Sequence, residues 1–182
     1  MKTEFRASGV GGQGIITMGH IIGKAAAIYD DKKVIMTEAY GPEITGGFAV
    51  ADVIIDENNI NYPIVDNPDI LVILSSNRME KDLQSVKTNG IVLFDSNFIE
   101  IQEIRESYIP IPAFETAIKL GNKVIANVIM LGALQVITEI ISKQALETIL
   151  FERVPKKFEE LNKEALKIGY KIGMNYRRNN NE

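Results

Sequence analysis

Phe5-Arg6-Ala7-Ser8-Gly9-Val10-Gly11-Gly12-Gln13-Gly14-Ile15-Ile16 decides the fold. A short apolar strand runs into a glycine loop, and the loop opens a helix. Gly9, Gly11 and Gly14 keep the G-x-G-x-x-G spacing, and Gly12 is an extra glycine within it. Glycine permits positive φ in a tight turn and lets a ligand approach bare backbone. The helix that follows turns unpaired N–H groups and a partial positive charge toward the same place. The stretch reads as the first βα unit of an α/β domain, with an anion, most simply a phosphate, as the guest of its loop.

The flanking chain carries the same pattern. Gly14 to Ile28 is a helix whose Gly19, Gly23 and Ala25-Ala26-Ala27 leave a thin surface, suited to close packing on a sheet or another subunit. Val34 to Tyr40 is a strand. A second glycine loop, Gly41-Pro42-Glu43-Ile44-Thr45-Gly46-Gly47, leads into a strand over Phe48 to Ile55. With no helix between these two strands, at least one strand of the sheet is antiparallel. Ile70 to Leu74 and Gly90 to Asp95 are continuous apolar runs, the mark of strands covered on both faces. Met79 to Val86 is a short helix. Tyr108 to Pro112 is extended, and its prolines confine it to an edge or a strand end. Phe114 to Leu120 is a helical turn or two, closed by Gly121-Asn122. Val124 to Ile141 is apolar nearly all round and reads as a buried helix. Ser142 is placed to cap the next helix, and Pro155 to Ile172 is an amphipathic one. The expected fold is α/β: a three-layer α/β/α sandwich around a Rossmann-like, mostly parallel (mixed) sheet, with a helical C-terminal third. Residues 1–175 form a single domain, and 176–182 a polar tail expected to be disordered.

Composition removes several function classes. The chain has 182 residues, 46% hydrophobic and 24% charged, an ordinary globular balance. A net charge of -4 gives no electrostatic case for nucleic acid. There is no cysteine and one histidine. Disulfides, thiolate catalysis and cysteine-ligated zinc or iron–sulfur clusters are therefore excluded for this chain. Glu4 stands where a signal peptide would place its apolar core. The most apolar segment, Val124 to Ile141, is broken by Asn127, Gln135, Thr138 and Glu139, so no membrane span is expected and the protein is placed in the cytoplasm.

The loops hold the candidate site. Gly9, Gly11, Gly12, Gln13 and Gly14 form a backbone anion nest. Glu38, at the end of the second strand, stands near where a ribose-binding acid of an NAD or FAD site would sit. A tight turn with no ligand is the plain alternative, and a different phosphate-bearing molecule is the third. The second loop favours the third, because it is longer than a hairpin turn requires. If the first two strands are parallel neighbours, both loops leave the same edge of the sheet, where open α/β sheets bind ligands. Glu43, Gly46 and Gly47 would then shape the adjoining wall. Asp95-Ser96-Asn97 either lines that crevice or caps the next segment. His20 reads as a partly exposed helix residue. No Ser/His/Asp order and no metal-ligand spacing is present, so no catalytic set and no metal site is assigned.

Gly9-Val10-Gly11-Gly12-Gln13-Gly14 with its small-residue helix, Tyr40-Gly41-Pro42-Glu43, Gly46-Gly47 and Ala126-Asn127-Val128-Ile129-Met130-Leu131-Gly132-Ala133 together resemble the gamma subunits of 2-oxoacid:ferredoxin oxidoreductases. The 2-oxoglutarate branch is the nearest in pattern. The related indolepyruvate oxidoreductase beta subunits share the first loop, and Tyr40-Gly41-Pro42-Glu43 tilts the resemblance away from them. The resemblance implies a multi-subunit enzyme that oxidatively decarboxylates a 2-oxoacid, transfers the acyl group to coenzyme A and reduces ferredoxin. It implies thiamine diphosphate and Mg2+ on alpha and beta subunits, and iron–sulfur clusters on a delta or beta subunit. This chain would be the non-catalytic gamma subunit, contributing coenzyme A-site or subunit contacts and binding no tightly held cofactor. In fused relatives the equivalent domain is associated with coenzyme A. Two departures stand out: Thr45 where the family commonly has arginine, and Ala39 where it often has serine. An NAD- or FAD-binding oxidoreductase and a structural adaptor with no small ligand remain the competing readings. Isolated from its partners, the chain is expected to be inactive and to dimerise through exposed apolar surface.

Overall fold

The computed structural model describes residues 2–42, 46–101 and 105–180. Six strands form one mixed sheet in the order β2-β3-β1-β4-β5-β6. They are β1 Thr3–Val10, β2 Lys33–Tyr40, β3 Phe48–Asp56, β4 Ile70–Ile73, β5 Ile91–Asp95 and β6 Tyr108–Ile111. β1, β4, β5 and β6 run parallel, while β3 is antiparallel to both β1 and β2. The sheet is thus mixed, as the strand–turn–strand pattern requires. The proline-bearing β6 lies at an edge.

The helices are α1 Ile15–Ile28, α2 Met79–Ser85, α3 Ala113–Lys119, α4 Ala126–Thr138, α5 Lys143–Arg153 and α6 Glu159–Asn180. Their distribution over the two faces is uneven. Phe5, Ala7, Ala51, Val53, Val72 and Leu93 point to one face and share a core with α1, α3, α4 and α5. α6 packs on the outside of α4. The other face carries α2, which covers Leu71, Ile73, Val92 and Phe94 through Met79 and Leu83. β4 is buried at every residue, which is why its sequence is an unbroken apolar run.

Arg6, on the α2 side of β1, is paired internally, while the neighbouring Ser8 Oγ is buried with no hydrogen-bond partner among the described residues. Arg6 of β1 binds its register partner Asp52 of β3 in bidentate fashion, at 2.7 and 2.8 Å, and donates to Val65 O at 2.7 Å. The carboxylate hydrogen bond raises the Arg6 pKa. The pair is partly buried, so breaking it from one side costs less than the about 3–5 kcal/mol of a fully buried pair.

The caps follow the sequence in part. Ser142 accepts from Ala145 N at 3.2 Å and opens α5. α4 ends at Thr138, and Glu139 takes a left-handed conformation with φ 51°. The C-terminal helix differs from expectation. α6 continues through Arg177 and Arg178 to Asn180, where a disordered tail over 176–182 was expected. Its apolar side extends to Tyr170, Ile172 and Tyr176 against the core, and Arg177 pairs with Glu139 at 2.6 Å, so tertiary contacts hold a segment that composition alone reads as a tail.

Candidate functional site

β1 and β2 are not neighbours, because β3 lies between them; they are parallel to each other because both run against β3. The two glycine loops therefore leave the same edge, although the assumed adjacency is absent. They touch directly: Gly11 N donates to Gly47 O at 3.0 Å. Gly41 N donates to Phe48 O at 2.8 Å and closes the base of the second loop. Gly46 has φ 72°, a left-handed conformation that favours glycine. Glu43, together with Ile44 and Thr45, lies outside the described residues.

In the first loop, Gly12 (φ 90°) and Gly14 (φ 77°) make the turn into α1. Gln13 does not face outward as a member of the nest. Its side chain folds back beneath the loop, accepting from Val10 N at 2.8 Å and donating to Leu74 O at 3.0 Å. It braces the end of β1 to the end of β4. Gly9 leaves room for this brace, since a Cβ there would stand 2.5 Å from Gln13 Oε1. Gln13 N is also used internally, donating to Val10 O at 3.2 Å. The donors left to a ligand are those of Gly12 and the first turn of α1. Gly14 caps that helix without a side-chain hydrogen bond, and its first turn holds no acid. An uncapped N-terminus of this kind presents several N–H groups and the positive end of the helix dipole to an anion.

A cleft of about 730 Å³ opens on one side of the loop. Gly11, Gly12, Gly14 and Ile16 line it together with Asn127, which lies against Gly14, and with Tyr40, Val124, Arg153, Phe158 and Asn162. Tyr40 and Val124 are each 61% exposed. Arg153, at the end of α5, makes no ion pair with any described residue. A cleft with backbone donors, apolar walls and one unpaired guanidinium suits a phosphate-bearing ligand with an apolar or aromatic portion. Sequence reading missed Arg153, Phe158 and Asn162, which lie far along the chain and reach the loop only through the packing of α5 and α6.

A second cavity of about 380 Å³ shares Gly11 and Gly12 with the first and is bounded by Gln13, Leu74, Asp95, Phe98, Phe114 and Lys123. Asp95 both lines it and caps α3. Its carboxylate accepts from Phe114 N at 2.9 Å and Asn97 N at 3.1 Å, while Asn97 Oδ1 accepts from Glu115 N at 3.1 Å. Burial pushes the Asp95 pKa up against the opposing pull of those two backbone N–H groups. Phe98 and Phe114 meet edge to face at 4.7 Å.

The dinucleotide arrangement does not form. Glu38 sits on the edge strand with β3 between it and β1, and its carboxylate is engaged: His20 Nε2 lies at 3.1 Å and Tyr40 Oη donates at 2.5 Å. A ribose acid in such a site stands beside the glycine loop on the adjoining strand. His20 is half-buried on α1 and pairs with Glu38. Among the described residues no group of three or more His, Cys, Asp or Glu side chains is arranged to hold a metal ion. No described helix is long and apolar enough to cross a membrane.

The fold and this edge define an α/β ligand- or partner-facing domain with a glycine nest. Residues 4–172 match the family model described as pyruvate ferredoxin/flavodoxin oxidoreductase, and the chain belongs to that family. It is 41% identical over 178 residues to the 2-oxoglutarate synthase subunit KorC of Methanocaldococcus jannaschii, covering 94% of each chain. Its structure is similar to that of the keto/oxoacid ferredoxin oxidoreductase gamma subunit of Geobacter sulfurreducens, with TM-score 0.85 and 31% identity over 97% of this chain and 98% of that one. It is also similar to part of the 2-oxoglutarate:ferredoxin oxidoreductase of Magnetococcus marinus, solved with 2-oxoglutarate, coenzyme A and succinyl-CoA bound. There the TM-score is 0.84 and the identity 25%, over 95% of this chain and 31% of that one.

Proposed function

We propose that the chain is the gamma subunit of a 2-oxoglutarate:ferredoxin oxidoreductase and that its glycine edge faces coenzyme A. The observation that carries this reading is the uncapped nest of Gly12 and Gly14 opening on a cleft with the unpaired Arg153, in a chain that matches a 2-oxoglutarate synthase subunit along nearly its whole length. Backbone N–H groups and the guanidinium would hold phosphate oxygens, and the apolar wall with Phe158 would hold the uncharged remainder. Gly9, Gly11 and Gln13 build the loop, with Gln13 as its brace. Gly46, Gly47 and Glu43 belong to the adjoining loop.

Oxidative decarboxylation of 2-oxoglutarate, succinyl transfer to coenzyme A and reduction of ferredoxin would take place in the assembled cytoplasmic complex. Thiamine diphosphate, Mg2+ and iron–sulfur clusters belong to the alpha, beta and delta partners in this reading. The chain's own part is to bind, orient and dock.

The test uses the chain in its native complex. Affinity purification of the tagged full-length protein is expected to recover thiamine-dependent subunits, and recovery of the chain alone would overturn the assignment. Gly11→Leu then probes the edge, because a Cβ at Gly11 meets nothing closer than Gly47 O at 3.9 Å and cavities lie beside it. The variant complex is expected to assemble while its KM for coenzyme A rises tenfold or more. An unchanged KM would leave the loop as architecture, and micromolar NAD or FAD binding would favour the dinucleotide reading.

A further inference from the structure

We propose that the free edge of β2 is a self-pairing surface, on which a second copy of this chain adds its own β2 antiparallel across a two-fold axis at Thr37.

The two edges of the sheet are built differently. β6 has four residues, and its exposed Pro110 has no N–H to offer a neighbour. Short length and proline are the ordinary protections of an edge strand. β2 has eight residues, no proline and an unbroken register with β3 from Lys33 opposite Asp56 to Tyr40 opposite Ala49. Among the described residues its other side has no partner strand. The segment Val34-Ile35-Met36-Thr37 carries no charge, and the carboxylate of Glu38 is drawn toward α1 by His20. An open row of about 27 Å of backbone donors and acceptors is a template for another strand. An antiparallel edge is complementary to itself, so one surface suffices on both copies.

The side chains select a register. Facing residues in such a pair lie on the same side of the sheet, so their numbers sum to an even constant. A sum of 74 sets Thr37 against Thr37, Ile35 against Ala39, Met36 against Glu38 and Val34 against Tyr40. No like charges oppose, and Tyr40, 61% exposed in the single chain, covers an aliphatic residue. A slip to 76 would set Glu38 against Glu38, and a slip to 72 would set Tyr40 against Lys32 in place of an aliphatic residue. α1 adds to the match. It lies along β2 with Gly19 against Met36 and Gly23 against Val34, so its exposed C-terminal residue Ile28 (63%) projects beyond Lys33. The two-fold brings that Ile28 to the Tyr40 end of the other copy, on the same face.

Sedimentation equilibrium of the full-length chain tests this, with the expected mass twice 20.2 kDa. Thr37→Glu places two carboxylates face to face on the axis, yet Thr37 is exposed in the single chain. This variant is expected to sediment as a monomer with an unchanged thermal melt. Because the chain has no cysteine, Thr37→Cys is expected to give a disulfide-linked dimer on mild oxidation, while Met174→Cys, exposed on α6, is not. A wild-type monomer at high micromolar concentration would overturn the proposal. So would a dimer that survives Thr37→Glu, a Thr37→Cys link no faster than the Met174→Cys control, or a complex in which another subunit protects the β2 amides from exchange.

Discussion

At Gly12 and Gly46 a side chain would meet open space, whereas at Gly132, Gly169 and Gly173 it would meet the facing helix. The first pair holds positive φ in loops that leave backbone donors accessible. The second group lines the α4–α6 contact, where a Cβ at Gly169 would stand 2.2 Å from Ile129 O and one at Gly132 2.7 Å from Leu166 O. One residue type thus serves exposure of backbone in one region and its concealment in the other. Substitution in the seam should cost stability and spare binding. Substitution in the loop should do the reverse.

The largest expected effect is at the seam. Gly169→Ala forces α4 and α6 apart, because the colliding atom is backbone and no rotamer relieves it. A loss of about 3 kcal/mol is expected, near 10 °C in Tm by circular dichroism. A melt within a degree or two of wild type would break the comparison.

Gly14→Ala tests the border between the two regimes. It is strained at φ 77° and would bring Cβ to 2.1 Å from Asn127 Nδ2. About 2 kcal/mol is expected, and Asn127→Ala in the same chain should return roughly half of it by removing the collision. Gln13→Ala removes the brace and leaves Val10 N and Leu74 O unpaired, for about 1–2 kcal/mol by urea titration.

Gly12→Ala should cost only about 1 kcal/mol, from its φ of 90°. Its main effect is expected on ligand: a tenfold or greater weakening of coenzyme A binding by calorimetry, with assembly intact. The smallest effect concerns Asp95. Its folded-state pKa is raised by burial, so the folded state binds its proton more tightly than the unfolded state. Its contribution to stability is therefore greatest at low pH and declines as pH rises from the ordinary carboxylate value through the raised one. The stability of wild type relative to Asp95→Asn should fall over that interval and then level off, as followed by Tm against pH.

Much of this architecture is legible in the sequence. The apolar runs of β4 and β5 and the glycine loop between β1 and α1 are local signals, and they place those elements closely. Strand order is not, because pairing depends on contacts distant in sequence. That is why the adjacency of β1 and β2 stays a condition in the sequence, with β3 lying between them in the fold, and why Glu38 reads as near a ribose site. Gln13 read as part of the nest by position, but the direction of its side chain follows from Leu74 lying beside it. Arg153 and Phe158 carried no local signal and join the cleft through the packing of the C-terminal helices.

Local chemistry was enough to place a glycine nest after the first strand and at the opening of a helix, because φ preferences and helix dipoles act within a few residues. The absence of cysteine likewise determined that no thiol chemistry belongs to this chain. Which N–H groups of the nest are spent internally, which side chains complete the cleft and which sheet edge is left open emerge with the folded chain. Those outcomes depend on how distant segments pack, and packing is a property of the whole chain.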